Sequence, residues 1–330
     1  MRTAVVPGIL VAAILLMLET TTHATATTFP ATTSDPDTGI WCTPTDEDLA
    51  ELSGLYWSGD TGYAVGDHGS DDRLALLDHR CEVSRWVHLA TETIDVEDLT
   101  RASTGTLWLA DTGDNDLDRT TVSLIGLDPV TAEHSTLPMS YLDGPHDVEA
   151  FTLSPVGQPV LVTKTDDGPA TVYTTADNAT VTTMPTDTPT TLIAVGTVPA
   201  TAADGSIRSI TGAAVSADKS LAALRTKKDV FVYHVHDGDI AETFTDLPDL
   251  VLQAPQQPQG EALAFTDDNA LLLASEADGG PLPSIRILSE IPDRMHAAQS
   301  DDTDLPLWTP LIVTGLLATG GVAWWVRRRS

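Results

Sequence analysis

Apolar and polar residues alternate along most of this chain in short runs, the period of strands that bury one or both faces. The clearest run is Asp95-Val96-Glu97-Asp98-Leu99, followed after seven residues by Leu107-Trp108-Leu109-Ala110-Asp111 and closed by Thr112-Gly113-Asp114-Asn115. It predicts a strand, a turn at Gly105, a second apolar strand and a carboxylate-rich loop. The phrase returns at Asp147-Val148-Glu149-Ala150-Phe151, leading to Val160-Leu161-Val162-Thr163-Lys164, and at Gly260-Glu261-Ala262-Leu263, leading to Leu271-Leu272-Leu273-Ala274-Ser275-Glu276. Weaker copies open at Ser53-Gly54-Leu55 and Thr211-Gly212-Ala213. Aligning Ser53, Glu97, Glu149, Thr211 and Glu261 gives steps of 44, 52, 62 and 50 residues, near the length of a four-stranded propeller blade. The expected fold is therefore all-β, a β-propeller of five blades. A six-bladed ring is the alternative, and it would need about 42 residues per blade over 40–292, shorter than the steps.

Two local features refine this. The last blade runs out of sequence after three strands, whereas Ile40-Trp41-Cys42 precedes a first blade that already has four, Leu52 to Leu89. Pairing the chain ends in one blade would remove an exposed sheet edge. In the fourth blade, Val230-Phe231-Val232-Tyr233, an Asp237-Gly238 turn and Ile240 to Phe244 read as a hairpin, and the Thr-rich stretch from Asp177 to Thr190 reads as a mobile loop.

Outside the repeats the pattern changes. Arg2, an uncharged apolar run from Ala4 to Leu18 and the small-x-small Ala24-Thr25-Ala26 predict a signal peptide over 1–26, then a polar leader over 27–39. After the propeller, 40–292, an acidic linker over 293–304 leads to 305–326, which is 22 residues without a charge and, as a helix, long enough to cross a bilayer. Trp308, Trp324 and Trp325 fall at its ends, and Arg327, Arg328 and Arg329 place the 327–330 tail in the cytoplasm. The expected location is the cell membrane, single-pass, with the propeller outside. For an exported chain with two cysteines this predicts one disulfide, Cys42 to Cys81, pinning the N-terminal strand to the first blade; two separate thiols are the alternative. A net charge of −31 with only four lysines argues against nucleic acid and anionic lipid as partners and fits a solvated exterior, attraction of cations or a salty medium.

First strands start and second strands end at one face of a propeller, so aligned positions form a ring. Fourteen or fifteen residues after the aligned positions come Asp67, Asp111, Lys164, Arg225 and Glu276, which with Glu97, Glu149 and Glu261 surround one opening. His68, Asn115, Arg119 and His146 neighbour it. This ring is either a site for a cation or polar ligand, or a network of ion pairs that locks the blades together. Asp114-x-Asp116-x-Asp118 has the opening rhythm of a calcium loop, but Arg119 and Ile125 stand where an EF-hand needs Gly and Glu, leaving looser calcium binding or a plain Asp-rich turn. His234-x-His236 is a weak zinc candidate beside the reading of a solvated strand end. No G-x-S-x-G, H-E-x-x-H, P-loop or C-x-x-C is present.

Asp111-Thr112-Gly113-Asp114-Asn115 with Arg119, Asp143-Gly144-Pro145-His146-Asp147-Val148-Glu149-Ala150, Thr211-Gly212-Ala213-Ala214-Val215-Ser216 and Pro258-Gln259-Gly260-Glu261-Ala262 together resemble a family of exported bacterial β-propellers, WD40-like in their repeats and mostly without an assigned activity, over about residues 45 to 290. The Ser53-Gly54-Leu55 opening and the Glu-led strands also resemble the phytase-like and esterase-like propellers. The resemblance implies fold and export. Three functions follow as expectations: an extracellular module binding a ligand or envelope partner at the charged face, with calcium as the candidate cation; a metal-assisted hydrolase using Glu97, Glu149, Glu261, Asp67 and Asp111; or a structural envelope protein.

Overall fold

The computed structural model describes residues 38–67, 72–165, 168–199 and 209–303. Its strands are β1 (Thr38–Cys42), β2 (Leu52–Ser58), β3 (Thr61–Gly66), β4 (Arg73–Leu77), β5 (Val83–His88), β6 (Val96–Arg101), β7 (Leu107–Asp111), β8 (Val122–Leu127), β9 (His134–Tyr141), β10 (Val148–Leu153), β11 (Pro159–Thr163), β12 (Thr171–Thr175), β13 (Thr190–Thr197), β14 (Ile210–Val215), β15 (Leu221–Thr226), β16 (Asp229–His234), β17 (Leu250–Gln253), β18 (Gln259–Phe265), β19 (Leu271–Glu276) and β20 (Ile285–Leu288). They form antiparallel four-stranded units in the orders β2-β3-β4-β5, β6-β7-β8-β9, β10-β11-β12-β13, β14-β15-β16-β17 and β18-β19-β20-β1. The first strands touch in a closed cycle, β2 to β6 to β10 to β14 to β18 and back to β2.

Packing explains why the inner strands read as near-continuous apolar runs. β7 and β11 are buried at every residue, and so are β15 and β19. Each is covered on both faces, and the outermost strands, such as β5, keep solvent on one side. The core is divided into clusters that each sit between consecutive units. One joins Val65 and Leu74 to Leu99 and Ile125, and the last joins Leu55 and Trp57 to Ala264 and Leu272, bringing the end of the chain back to its beginning.

The ends meet as the sequence predicts. β1 pairs with β20, Thr38 opposite Leu288 and Gly39 opposite Ile287. Cys42, at the end of β1, is disulfide-bonded to Cys81 in the β4–β5 turn, at a sequence separation of 39. The closing strand is thus hydrogen-bonded to the last unit and covalently fixed to the first.

Three local expectations are corrected. Ile240 to Phe244 is not a strand: α1 spans Ile240–Thr243, with Asp239 as its N-cap accepting from the Glu242 N–H. Asp237 and Gly238 do take positive φ, 54° and 76°, but Ile240 and Phe244, four apart, bury together as a helix face requires. The outer strand of that unit is β17. The stretch 177–190 packs, with Val181 and Met184 in the core, and it delivers β13 alongside β9 in parallel, merging two units into one eight-stranded sheet. Finally, the stretch read as an acidic linker from 293 is helical: α2 (Ile291–Thr303) buries Ile291 and Met295 against the last two units. The signal peptide, the leader up to residue 37, His68, the 305–326 span and the basic tail lie outside the described residues. Among those described, no helix is long and apolar enough to cross a membrane.

Candidate functional site

Every first strand carries the same irregularity at the same place. The register skips Ser53 between Leu52 and Gly54, Glu97 between Val96 and Asp98, Glu149 between Val148 and Ala150, Thr211 between Ile210 and Gly212, and it breaks again between Gly260 and Leu263, around Glu261. A bulge leaves its extra residue out of the ladder and re-aims its side chain. The five aligned residues are therefore these bulges, clustered at the end of the ring where first strands begin. Two of them tie adjacent units together: Ser53 Oγ donates to the Glu97 carbonyl at 2.6 Å, and Thr211 Oγ1 donates to the Gly260 carbonyl at 2.9 Å.

The acidic bulge of the second unit lies in the densest charge. Asp67, at the end of β3, reaches Asp95 and Glu97 so that one oxygen from each lies within 4.8 Å of the others. Asp95 is 8% exposed and Glu97 4%. Both carboxylates press on Gly113, where any Cβ would collide with Glu97 Oε1 and Asp95 Oδ2. One Asp95 oxygen shares a hydrogen bond with Asp67, while the other, Oδ1, is buried without a partner among the described residues. That is the arrangement of a half-built oxygen cage.

Electrostatics follow from the crowding. Burial, and then the Asp67 and Asp147 charges, push Asp95 up to about 8 against the pull of Arg119. Burial also raises Glu97 well above the carboxylate range, reinforced by Asp67, Asp95 and Asp147 and opposed by Lys164. In the fifth unit, burial and a hydrogen bond shared with Glu261 push Glu276 up to about 9, with Asp67 and Glu51 contributing. A carboxyl with a higher pKa folded than unfolded takes up a proton on folding throughout the interval between the two values, so stability falls as pH rises across it. In chelator, melting temperature is expected to decline from about pH 4 to about pH 9, the interval spanned by Asp95 and Glu276, and to level off above it. Thermal melts in steps across that range check this, and a curve that rises steadily to pH 9 would contradict the crowding.

The expected ring is only partly assembled. Asp67 acts on both Glu97 and Glu276, Glu276 shares a hydrogen bond with Glu261, and Lys164 pairs with Glu149 Oε1, leaving Glu149 Oε2 buried and unpartnered among the described residues. Asp111 and Arg225 are turned to other partners, although Arg225 still feels the Glu261 charge. Asp111 Oδ1 accepts from Arg119 Nη2 at 3.0 Å and from the Asp95 N–H at 2.9 Å, a latch that holds the second unit's loop. Arg225 is fully buried between the fourth and fifth units, where it donates to the Ala262 and Ala274 carbonyls and to Gln257. Asn115 is exposed in the loop. His146 sits apart, its Nε2 3.1 Å from Asp143 Oδ1 and 2.7 Å from Tyr173 Oη, stacked edge-on by Tyr141. The Asp114 carboxylate accepts from the Asp118 and Arg119 N–H groups, which makes its loop an Asp turn. His234 faces Asp249 at 3.4 Å.

Sequence reasoning missed Asp95, Asp147 and Glu51, each two residues before a bulge. The signal was the Asp-Val-Glu repeat at 95–97 and 147–149: with a period of two, both acids belong to one row. It also missed Asp98, fully buried, which accepts from its own neighbour Leu99 N–H at 2.8 Å, from Phe151 N–H of β10 at 2.9 Å and from Ala213 N–H of β14 at 3.2 Å.

No protein-family model matches the chain, and no curated protein does. Among solved structures it is similar to the crystal structure of Myxococcus xanthus glutaminyl cyclase, at 12% identity, 76% of this chain and 94% of that chain covered, and a TM-score of 0.44.

Proposed function

We propose that this chain is an exported five-bladed β-propeller, held at the cell membrane by its C-terminal span, that binds a divalent cation at the acidic end of its ring and presents it to an extracellular ligand or envelope partner. The observation that carries the reading is the convergence of Asp67, Asp95 and Glu97, the last two pressed against Gly113, with a buried Asp95 oxygen left unpartnered among the described residues. The closed cycle of first strands and the closing strand β1 support the blade count, and the disulfide supports export. The donors are all carboxylate oxygens, which suit calcium, a hard cation that accepts loose geometry, better than zinc. A cation there would replace the protons that crowding forces onto Asp95 and Glu97. Metal-assisted hydrolysis is the weaker reading, because two of its five ligands, Asp111 and Glu149, are already engaged by Arg119 and Lys164.

The test is thermal unfolding of the purified protein with and without calcium. At a hundredfold excess over the dissociation constant, binding to the folded state alone adds about 2.7 kcal/mol. Glu97→Gln is expected to abolish that response while raising the stability of the calcium-free protein, since it removes one member of a repelling set. Identical melts for wild type in calcium, magnesium and chelator would sink the cation site.

A further inference from the structure

At the same end of the ring, the segment between β1 and β2 and the loop between β19 and β20 face each other across a cleft of about 540 Å³. Its walls carry Pro44, Pro281 and Leu282 on the apolar side and two carboxylates, Glu47 and Glu51, and no lysine or arginine lines it. The volume lies within the range of small-ligand sites, roughly 300–1,000 Å³. The walls are set in advance. Cys42, two residues before Pro44, is fixed by the disulfide. Asp46 caps the helical turn Glu47–Leu49 by accepting from the Asp48 N–H, which fixes the backbone of Glu47. The Ala277 N–H donates to the Ala50 carbonyl at 2.7 Å and closes the floor. Neither the Glu47 nor the Glu51 side-chain carboxylate is held by an ion pair or hydrogen bond among the described residues.

We propose that this cleft binds a basic side chain of a peptide segment, its ammonium or guanidinium between Glu47 and Glu51 and its alkyl stem against Pro44, Pro281 and Leu282. The chemistry matches on both counts: long basic side chains bury their stems on apolar surface and keep the charged head at carboxylates. Glu51 also adds to the field at Glu276, so the cleft and the ring share one negative potential that draws such a cation in. The assignment goes beyond cation binding in the ring, because it rests on a different set of residues.

The experiment is calorimetric titration of the whole protein, in chelator at low salt, with leucyl-lysyl-leucine amide and with its uncharged norleucine counterpart. Working without calcium separates this outcome from that of the ring site. The lysine peptide is expected to bind, and the norleucine peptide to bind at least about tenfold more weakly, the difference made by one charge-assisted contact. Glu47→Gln and Glu51→Gln are each expected to weaken the lysine peptide several-fold. Glu133→Gln, in the exposed β8–β9 turn at the other end of the units, is expected to leave it unchanged. Equal binding of the two peptides, no binding of either, or a Glu133→Gln loss as large as that of Glu51→Gln would overturn the proposal, the last by showing only diffuse attraction to an acidic surface. Both cleft variants replace carboxylates without hydrogen-bond partners among the described residues, so a melting temperature within a few degrees of wild type is expected for each and shows that lost binding is not lost fold.

Discussion

Replacing Arg225 with methionine is expected to destabilise the fold by about 3–5 kcal/mol, the range for removing one member of a buried, hydrogen-bonded charge set. The side chain has no exposed surface. Its Nη1 donates to Ala262 O at 2.7 Å and Ala274 O at 2.6 Å, and its Nη2 donates to Gln257 Oε1 at 2.7 Å. Burial pulls the guanidinium down to about 9, with Glu261 opposing, so it stays charged at neutral pH. Methionine fills a similar length but leaves two carbonyls and an amide oxygen dry, each costing about 1–3 kcal/mol. Lysine retains the charge yet lacks the fork that reaches β18, β19 and Gln257 together, so Arg225→Lys should fall between the two. Urea unfolding measures the difference; a loss under about 1 kcal/mol for Arg225→Met would mean that the fourth and fifth units do not depend on this clasp. The fit is tight from the other side as well, since any Cβ at Gly260 would collide with the guanidinium.

The second large effect is the loss of the disulfide. Cys42→Ser with Cys81→Ser releases a loop with a sequence separation of 39, which on the chain-entropy account costs about 4 kcal/mol. The position gives this change a second signature. Both cysteines are buried beside Leu49, Leu52 and Trp57 in the core between the first and last units. With the tie gone, β1 is held by its pairing with β20 and by the packing of Trp41 on Trp57, so amide exchange should accelerate first in β1 and β20. Uniform acceleration across all units would show instead that the disulfide acts only through the unfolded chain.

Much of this architecture was legible in the chain, for a reason visible at the bulges. Each first strand needs a small or polar residue at the same bend, followed by apolar residues that fill the gap to the next unit, and that demand wrote Ser53, Glu97, Glu149, Thr211 and Glu261 into register. The missing fourth strand and the stranded Ile40-Trp41-Cys42 were legible for the same reason, because a sheet lacking an outer strand has an open edge. Position at the end of the second strand was less legible. The hairpin from Ser58 to Thr61 is tight, whereas Val215 pairs with Ala222 across a longer turn, so equal spacing along the chain is not equal position on the sheet. Asp111 and Arg225 were misplaced by that difference, Asp111 one residue and Arg225 two residues short of the position that Asp67 and Lys164 occupy. Asp98 could not be found locally at all: its partners lie 53 and 115 residues away and meet it only once the ring is closed. The parallel pairing of β9 with β13 is hidden for the same reason, since neither strand's own pattern names its neighbour.

Asp98 has a further consequence for how the molecule comes apart. By gripping β10 and β14 it rivets the second, third and fourth units at a single carboxylate, while Arg225 secures the fourth to the fifth and the disulfide secures the fifth to the first. Among the described residues, the joint between the first and second units is held by the Ser53 and Arg85 hydrogen bonds, the hydrogen bond shared by Asp67 and Asp95, and an apolar core. That joint is also where Asp67 faces Asp95 and Glu97 across the divide. Acidic groups have been set at this seam, so a metal ion seated there would act as a further rivet, and the ring's resistance to opening would follow the concentration of that ion.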